Sequence, residues 1–310
     1  MPAPVALVGP TATGKSTLAL ALARRRPGVE IVSVDSMAVY RGMDIGTAKA
    51  DAAARAAVPH HLLDQVEPDE PYTVHQFQRA ARRALADIAG RGNRALLVGG
   101  TGLYLRAVVD DLELPGRFPE VVVALERDAQ GPAGVAGLHA RLAALDPVAA
   151  ARTTTTNRRR VVRALEVTIG AGRPFSSFGP GLQAYPPTAV TLVGIPFVAE
   201  LHDPRIEARF AALVDAGLVE EVRALSARPG GLSRTARQAL GYREVLAHLE
   251  EGVPLHAALE QAVRRTKAFA RRQWAWFRRD PRIRWLDPQG ELLEQLLACW
   301  DEVGESTHGR

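Results

Sequence analysis

Val5-Ala6-Leu7-Val8-Gly9-Pro10-Thr11-Ala12-Thr13-Gly14-Lys15-Ser16, near the start of a 310-residue chain, is the stretch whose reading decides the fold. Val5 to Val8 form a short continuous apolar run, the pattern of a strand buried on both faces. The eight residues that follow fit G-x-x-x-x-G-K-[ST]. From Gly14 the pattern turns helical, until Pro27-Gly28 stops it. A loop in this setting cradles phosphate. Its glycines let successive N–H groups converge on the oxygens, and the helix adds its positive end. Gly9, Pro10, Thr11, Ala12, Thr13, Gly14, Lys15 and Ser16 are therefore candidate diphosphate ligands. Lys15 supplies a mobile cation, and the Ser16 hydroxyl is the candidate ligand for Mg²⁺. The competing reading, a chance glycine-rich turn, is disfavoured by the strand before the loop and the helix after it.

Moving outward, Ile31-Val32-Ser33-Val34 reads as a second strand ending at Asp35, residues 73–89 as a helix, and Ala95-Leu96-Leu97-Val98 as a third strand ending in Gly99-Gly100-Thr101-Gly102. Strands alternating with helices imply a doubly wound parallel sheet of the P-loop NTPase-like α/β class. Ligands of such sheets sit at the C-terminal ends of the strands, where the loop, Asp35 and Thr101 all fall. Residues 112–188 are punctuated at one border by Leu114-Pro115-Gly116 and at the other by Gly179-Pro180-Gly181 and Pro186-Pro187. Between those borders the pattern is helical. An inserted helical domain is expected there, with residues 1–111 and 189–310 forming the α/β core and its C-terminal helices. Sheet character returns at 189–195. Helices are expected over 205–226, 235–250 and 255–279, and near 292–300.

A nucleoside triphosphatase commonly places an acid after a later strand to hold Mg²⁺. Here the third strand ends in glycines and Thr101. The prominent acid is Asp35, across the cleft from the phosphates, better placed to take a proton from an incoming nucleophile. Position alone reads it equally well as a loop or helix-capping acid.

Composition narrows the class. Apolar residues make up 47% of the chain and charged residues 24%, with one cysteine, Cys299. A single thiol makes neither an intramolecular disulfide nor a cysteine-based zinc site, and His60-His61 has no third ligand nearby. No leader or membrane span is read, so a cytoplasmic protein, expected as a monomer, follows. The net charge of +5 is concentrated: residues 263–284 hold nine Arg or Lys and one acid, and 152–173 hold six Arg and one acid. Two basic segments, the later one interleaved with Phe269, Trp274, Trp276 and Phe277, point to a polyanionic partner. Phe269, Trp276 and Phe277 lie near helical spacing, so these rings are expected inside and the arginines outside.

Several runs together resemble the bacterial tRNA dimethylallyltransferase family. They are the phosphate loop; Ser33-Val34-Asp35-Ser36; Tyr40 through Lys49, containing Asp44-Ile45-Gly46-Thr47-Ala48-Lys49; Pro59 through Asp64; Leu97 through Tyr104; Asp146-Pro147; Arg163 through Val167; Arg205 through Phe210; Gly241 through Glu244; and Thr266 through Trp276. The resemblance implies transfer of a dimethylallyl group from its diphosphate to the exocyclic amine of the adenosine just 3′ of the anticodon. The loop would then hold an isoprenoid diphosphate rather than serve ATP-binding. It further implies Asp35 as general base, Thr101 beside the reacting centre and Arg209 on the departing diphosphate. It implies RNA contacts from Asp35, Ser36, Met37, Ala38 and Thr101, from Arg159, Arg160, Val161, Val162 and Arg163, and from Gln238, Gly241, Tyr242 and Arg243. Arg271, Arg272 and Gln273 are further candidates. The implied partners are dimethylallyl diphosphate and a tRNA anticodon stem-loop.

The sequence departs from the family at two points. The Arg that many members carry in a Pro-x-x-Arg context is absent after Pro119, leaving Arg117 or Arg127 as substitutes. Thr156-Asn157 stands where Asn-Asp is frequent. Three rivals share parts of the pattern: an ATP-dependent small-molecule kinase, an isopentenyltransferase acting on free AMP, and a non-catalytic RNA-binding protein with a relic loop. The first two have no use for the basic segments, and the third none for an intact Lys15, Ser16, Asp35 and Thr101.

Overall fold

The computed structural model describes residues 3–305. The elements run β1 (Val5–Val8), α1 (Lys15–Arg25), β2 (Val29–Val34), α2 (Ala52–Ala57), β3 (His60–His61), α3 (Val74–Gly90), β4 (Arg94–Gly99) and α4 (Gly102–Val109). Then come α5 (Pro119–Asp128), α6 (Gly134–Leu145), α7 (Pro147–Ala151) and α8 (Arg158–Gly170). The chain continues through β5 (Thr191–Gly194), α9 (Ala199–Asp215), α10 (Leu218–Ser226), α11 (Tyr242–Glu251), α12 (Leu255–Phe277), β6 (Arg284–Trp285) and α13 (Leu292–Glu305). Two compact units result: one from the chain up to Asp110 and from Pro187 onward, the other from Asp111 to Pro186.

The first unit is built on a six-stranded sheet in the order β3-β2-β4-β1-β5-β6, with every neighbouring pair parallel. Alternate residues of each strand serve opposite faces. Ala6, Val8, Val32, Val34, Ala95 and Leu97 pack in one core layer with Phe77, Phe210, Tyr242 and Phe277. Val5, Leu7, Val29, Ile31, Leu96 and Val98 pack in the other with Leu22, Leu296 and Trp300. The apolar strands are therefore buried on both faces, as their unbroken hydrophobic runs require. The chain leaves this unit after α4 and re-enters beside the same point, where the Thr188 hydroxyl donates to the Val109 carbonyl at 3.0 Å.

The second unit packs Leu125, Leu138, Leu142, Ala149, Val161 and Leu165 into its own core. The Asp146 carboxylate accepts from Ala149 N, Ser176 N and the Ser176 hydroxyl, stapling the start of α7 to the segment beyond α8. Backbone and hydroxyl donors hold that carboxyl below its ordinary range despite burial.

Three expectations change. The helix expected over 205–226 is two helices, because Gly217 takes a left-handed conformation (φ 100°) between α9 and α10. The helix expected over 235–250 begins only at Tyr242, after a short 3₁₀ turn at Ala236–Gln238 and Gly241 at φ 89°. The sheet gains β3 and β6, two-residue edge strands too short to leave a periodic signal.

Candidate active site

The loops at the C-terminal ends of β1, β2 and β4 form the candidate site, and each strand fixes one of them. The phosphate loop leaves β1 and curls, with Ala12 and Gly14 both left-handed (φ 63° and 84°). Such residues form the amide-lined concavity that anions occupy. The buried Thr13 donates its hydroxyl to the Pro10 carbonyl at 2.9 Å, and Lys15 Nζ donates to the same oxygen at 2.5 Å. Burial and the nearby Arg209 cation lower the Lys15 ammonium to about 7, while Asp35 pulls it back up. Arg209 is itself lowered by burial and supported by Asp35. Lys15 at the start of α1, Asp35 just after β2 and Arg209 on α9 thus lie within one another's fields. Ser16 is exposed at the start of α1.

Asp35 ends β2. Its Oδ1 accepts from Met37 N at 2.7 Å and Ala38 N at 3.2 Å, so the carboxylate shapes its own loop. This is the loop-acid arrangement rather than a helix cap, since residues 36–39 form bends and a turn, and Oδ2 takes no part in these bonds. Thr101, ahead of α4, accepts at Oγ1 from Ser36 N at 3.2 Å, tying the end of β4 to the Asp35 loop.

Gln273 is a first correction to the candidate RNA contacts. It was grouped with Arg271 and Arg272 as an RNA contact, yet its side chain is buried. It accepts at Oε1 from Thr11 N and donates from Nε2 to the Gly100 carbonyl, both at 2.9 Å. The signal was available: α12 buries Ala258, Ala262, Thr266, Ala270, Gln273 and Phe277, one helical face, and a glutamine on that face needs partners. Of the aromatics expected inside, Phe277 is fully buried and Trp276 packs against the core, whereas Phe269 is only half-buried and stays outside it. Arg271 and Arg272 are exposed. A side chain at Gly102 would meet the Trp276 indole at 2.2 Å, so this glycine admits the ring.

Other candidates divide by burial. Arg159 and Arg160 are exposed in the first turn of α8, capped by Asn157, whose side chain accepts from Arg160 N at 3.2 Å. Cations at a helix N-terminus oppose the macrodipole, an arrangement that favours an anionic partner. Val161 and Val162 are a correction: both are buried in the core of the second unit, where RNA has no access to their side chains. Arg163 is also turned inward, donating to the Pro115 and Gly116 carbonyls and pairing with Glu166 at 2.8 Å. Arg117 pairs with Glu166 at 3.6 Å, and Arg127 lies exposed on α5. Tyr242 is likewise corrected: it is fully buried and donates to Glu221 at 2.5 Å. Ala38 is buried too, which leaves only its backbone for any partner, while Gln238 lies in the 3₁₀ turn beside exposed Arg243.

The run Asp44 to Lys49, most specific to the resemblance, is a braced loop. Glu221 of α10 accepts from the backbone N–H of Asp44, Ile45 and Gly46 at 2.9, 2.7 and 3.1 Å. Lys49 Nζ, buried, donates to the Tyr40 carbonyl, Asp44 and Asp64. His60 Nδ1 lies 2.7 Å from the Val58 carbonyl and His61 Nε2 2.5 Å from Glu30. Among the described residues, no group of three or more His, Cys, Asp or Glu could hold a metal ion, and no helix is long and apolar enough to cross a membrane.

A family model described as IPP transferase matches residues 38–280. The chain belongs to the IPP transferase family. Among this family's members, a protein of Nocardioides sp. named tRNA dimethylallyltransferase is 49% identical over 284 residues, 91% of this chain and 90% of the relative. One of Streptomyces coelicolor with the same name is 48% identical over 92% of this chain and 91% of its own. Among solved structures, the full-length tRNA isopentenylpyrophosphate transferase of Bacillus halodurans superposes with a TM-score of 0.71 at 34% identity, covering 99% of this chain and 100% of that one. A eukaryotic dimethylallyltransferase acting on tRNA gives 0.75 at 25% identity, covering 98% of this chain and 77% of that one. The IPP transferase sheet described above is thus shared with enzymes that modify tRNA.

Proposed function

We propose that this IPP transferase moves a dimethylallyl group from dimethylallyl diphosphate to the exocyclic amine of the adenosine 3′-adjacent to the anticodon of tRNA. The observation that carries the reading is the electrostatic coupling of Asp35 and Arg209 to Lys15 of the phosphate loop. A base and a leaving-group cradle face one another, and β4 ends in Gly99-Gly100-Thr101 rather than in the acid of a nucleoside triphosphatase.

The amine nitrogen attacks the allylic carbon, and the carbon–oxygen bond to the diphosphate breaks with its electron pair leaving on oxygen. The surplus amine proton passes to Asp35. Lys15, Arg209 and the loop amides stabilise the charge that develops on the diphosphate. Thr101, fixed against Ser36, lies beside the reacting centre. The Ser16 hydroxyl, exposed at the start of α1, is the group that would hold Mg²⁺ beside the diphosphate. When bound there, it would neutralise diphosphate charge. The adenine reaches the cleft by leaving the stack of its loop, with Arg159, Arg160, Arg243, Arg271 and Arg272 offering charge to RNA phosphates.

The test is label transfer. The protein is incubated with radiolabelled dimethylallyl diphosphate and with AMP, ATP or an unmodified anticodon stem-loop. Label on the stem-loop alone is expected. Label on AMP alone, or phosphoryl transfer from ATP, refutes the reading.

A further inference from the structure

Gln273 reaches two catalytic loops at once from a helix that begins far away in sequence. Thr11 and Gly100 are 262 and 173 positions distant from it. The side-chain amide satisfies both at once, because Thr11 N–H needs an acceptor and the Gly100 carbonyl needs a donor. A flipped amide would set donor against donor and acceptor against acceptor, so the orientation is fixed. The fit is tight as well as polar: a Cβ at position 100 would lie 2.3 Å from Gln273 Nε2. Gly100 precedes Thr101, which accepts from Ser36 next to Asp35. The loop on the other side, through Thr11, carries Lys15.

We propose that Gln273 is a positioning residue for prenyl transfer, setting the distance between the diphosphate cradle and the loop that holds Thr101 and Asp35. This inference rests on the function proposed above. Gln273 directly follows Arg271 and Arg272 on α12, so the helix carrying these exposed cations holds the two halves of the cleft together with its inner face. Misplacing reacting groups by about 1 Å costs on the order of 10²-fold in rate, so the effect belongs in kcat.

The experiment measures kcat and both KM values, for dimethylallyl diphosphate and for the unmodified stem-loop, in wild type, Gln273→Met and Gln273→Glu. Gln273→Met keeps the volume and removes both hydrogen bonds; a kcat loss of about 10–100-fold with both KM values nearly unchanged is expected. Gln273→Glu retains the acceptor for Thr11 but opposes a carboxylate to the Gly100 carbonyl. Its kcat should recover relative to wild type as pH falls and the introduced carboxyl gains a proton to donate. That recovery answers the objection that Gln273→Met merely unfolds. Wild-type kcat in Gln273→Met overturns the proposal, as does a loss confined to the stem-loop KM. A loss that follows the unfolded fraction by circular dichroism, with no recovery of Gln273→Glu at low pH, also overturns it. If wild type itself fails to label the stem-loop, the function proposed above falls instead.

Discussion

Replacing Lys15 with Arg tests the electrostatics of the phosphate loop directly. In the free protein the Lys15 ammonium is lowered to about 7, by burial first and by Arg209 second. A bound diphosphate adds negative charge beside it and restores the charged form, so binding takes up a proton. The pKa is higher in the complex than in the free protein, and affinity therefore falls as pH rises through about 7. With a free-state value of 7 and a complexed value near the ordinary 10.5, Lys15 weakens diphosphate binding about tenfold between pH 6 and pH 8, or about 1.4 kcal/mol. Arginine stays charged across this range. The ligand's own ionisation affects both proteins alike, so the ratio of wild-type to Lys15→Arg affinity isolates the lysine. The assay is isothermal titration of inorganic pyrophosphate at several pH values, in buffers of different ionisation heat. Uptake of about half a proton per site at pH 7 is expected in wild type and none from this group in Lys15→Arg. Asp35→Asn should shift the wild-type midpoint lower still, since Asp35 raises the lysine. Parallel pH profiles in wild type and Lys15→Arg would refute the reasoning.

Three further outcomes follow from the same geometry. Asp35→Asn keeps an oxygen for Met37 N and Ala38 N but removes the basic charge, so transfer at saturating dimethylallyl diphosphate should drop by about 10²-fold or more; near wild-type turnover removes Asp35 from its role. Arg159→Ala with Arg160→Ala should lower the slope of log affinity against log salt for the stem-loop by about 1.4, two phosphates' worth, and an unchanged slope means no contact. Glu221→Ala strips acceptors from three amides of the 44–46 loop and from buried Tyr242, and should cost roughly 2–4 kcal/mol in urea unfolding; a loss below about 0.5 kcal/mol would mean the loop holds itself.

The sheet and the loops at its C-terminal edge were legible because both are local. A four-residue apolar run, a glycine-rich turn and an acid at a strand end are each read within a dozen residues. Asp35 and Thr101 could be placed at one edge without knowing that Thr101 accepts from Ser36. The second unit was legible at its borders, where proline and glycine cluster. What escaped depends on pairing across long separations. Gln273 looked like its basic neighbours because its partners are Thr11 and Gly100. Val161, Val162 and Tyr242 stand in sequence beside exposed residues, although apolar spacing on α8 favours burial of the valines. Tyr242 gave no local sign of its bond to Glu221 on another helix. The edge strands β3 and β6 have two residues each, below any period.

The hydrogen bond between Thr188 and the Val109 carbonyl has a consequence for how such proteins diversify. The chain departs for the 76 residues from Asp111 to Pro186 and returns to the spot it left. Excision would leave a gap that a linker of about two residues closes. The α/β unit would keep its cradle, its base and its amide strut, while the segment between could be lengthened, shortened or exchanged without asking the sheet to move. The inserted segment and the sheet are then separable cassettes of one chain, and a lineage could change the first while preserving the second.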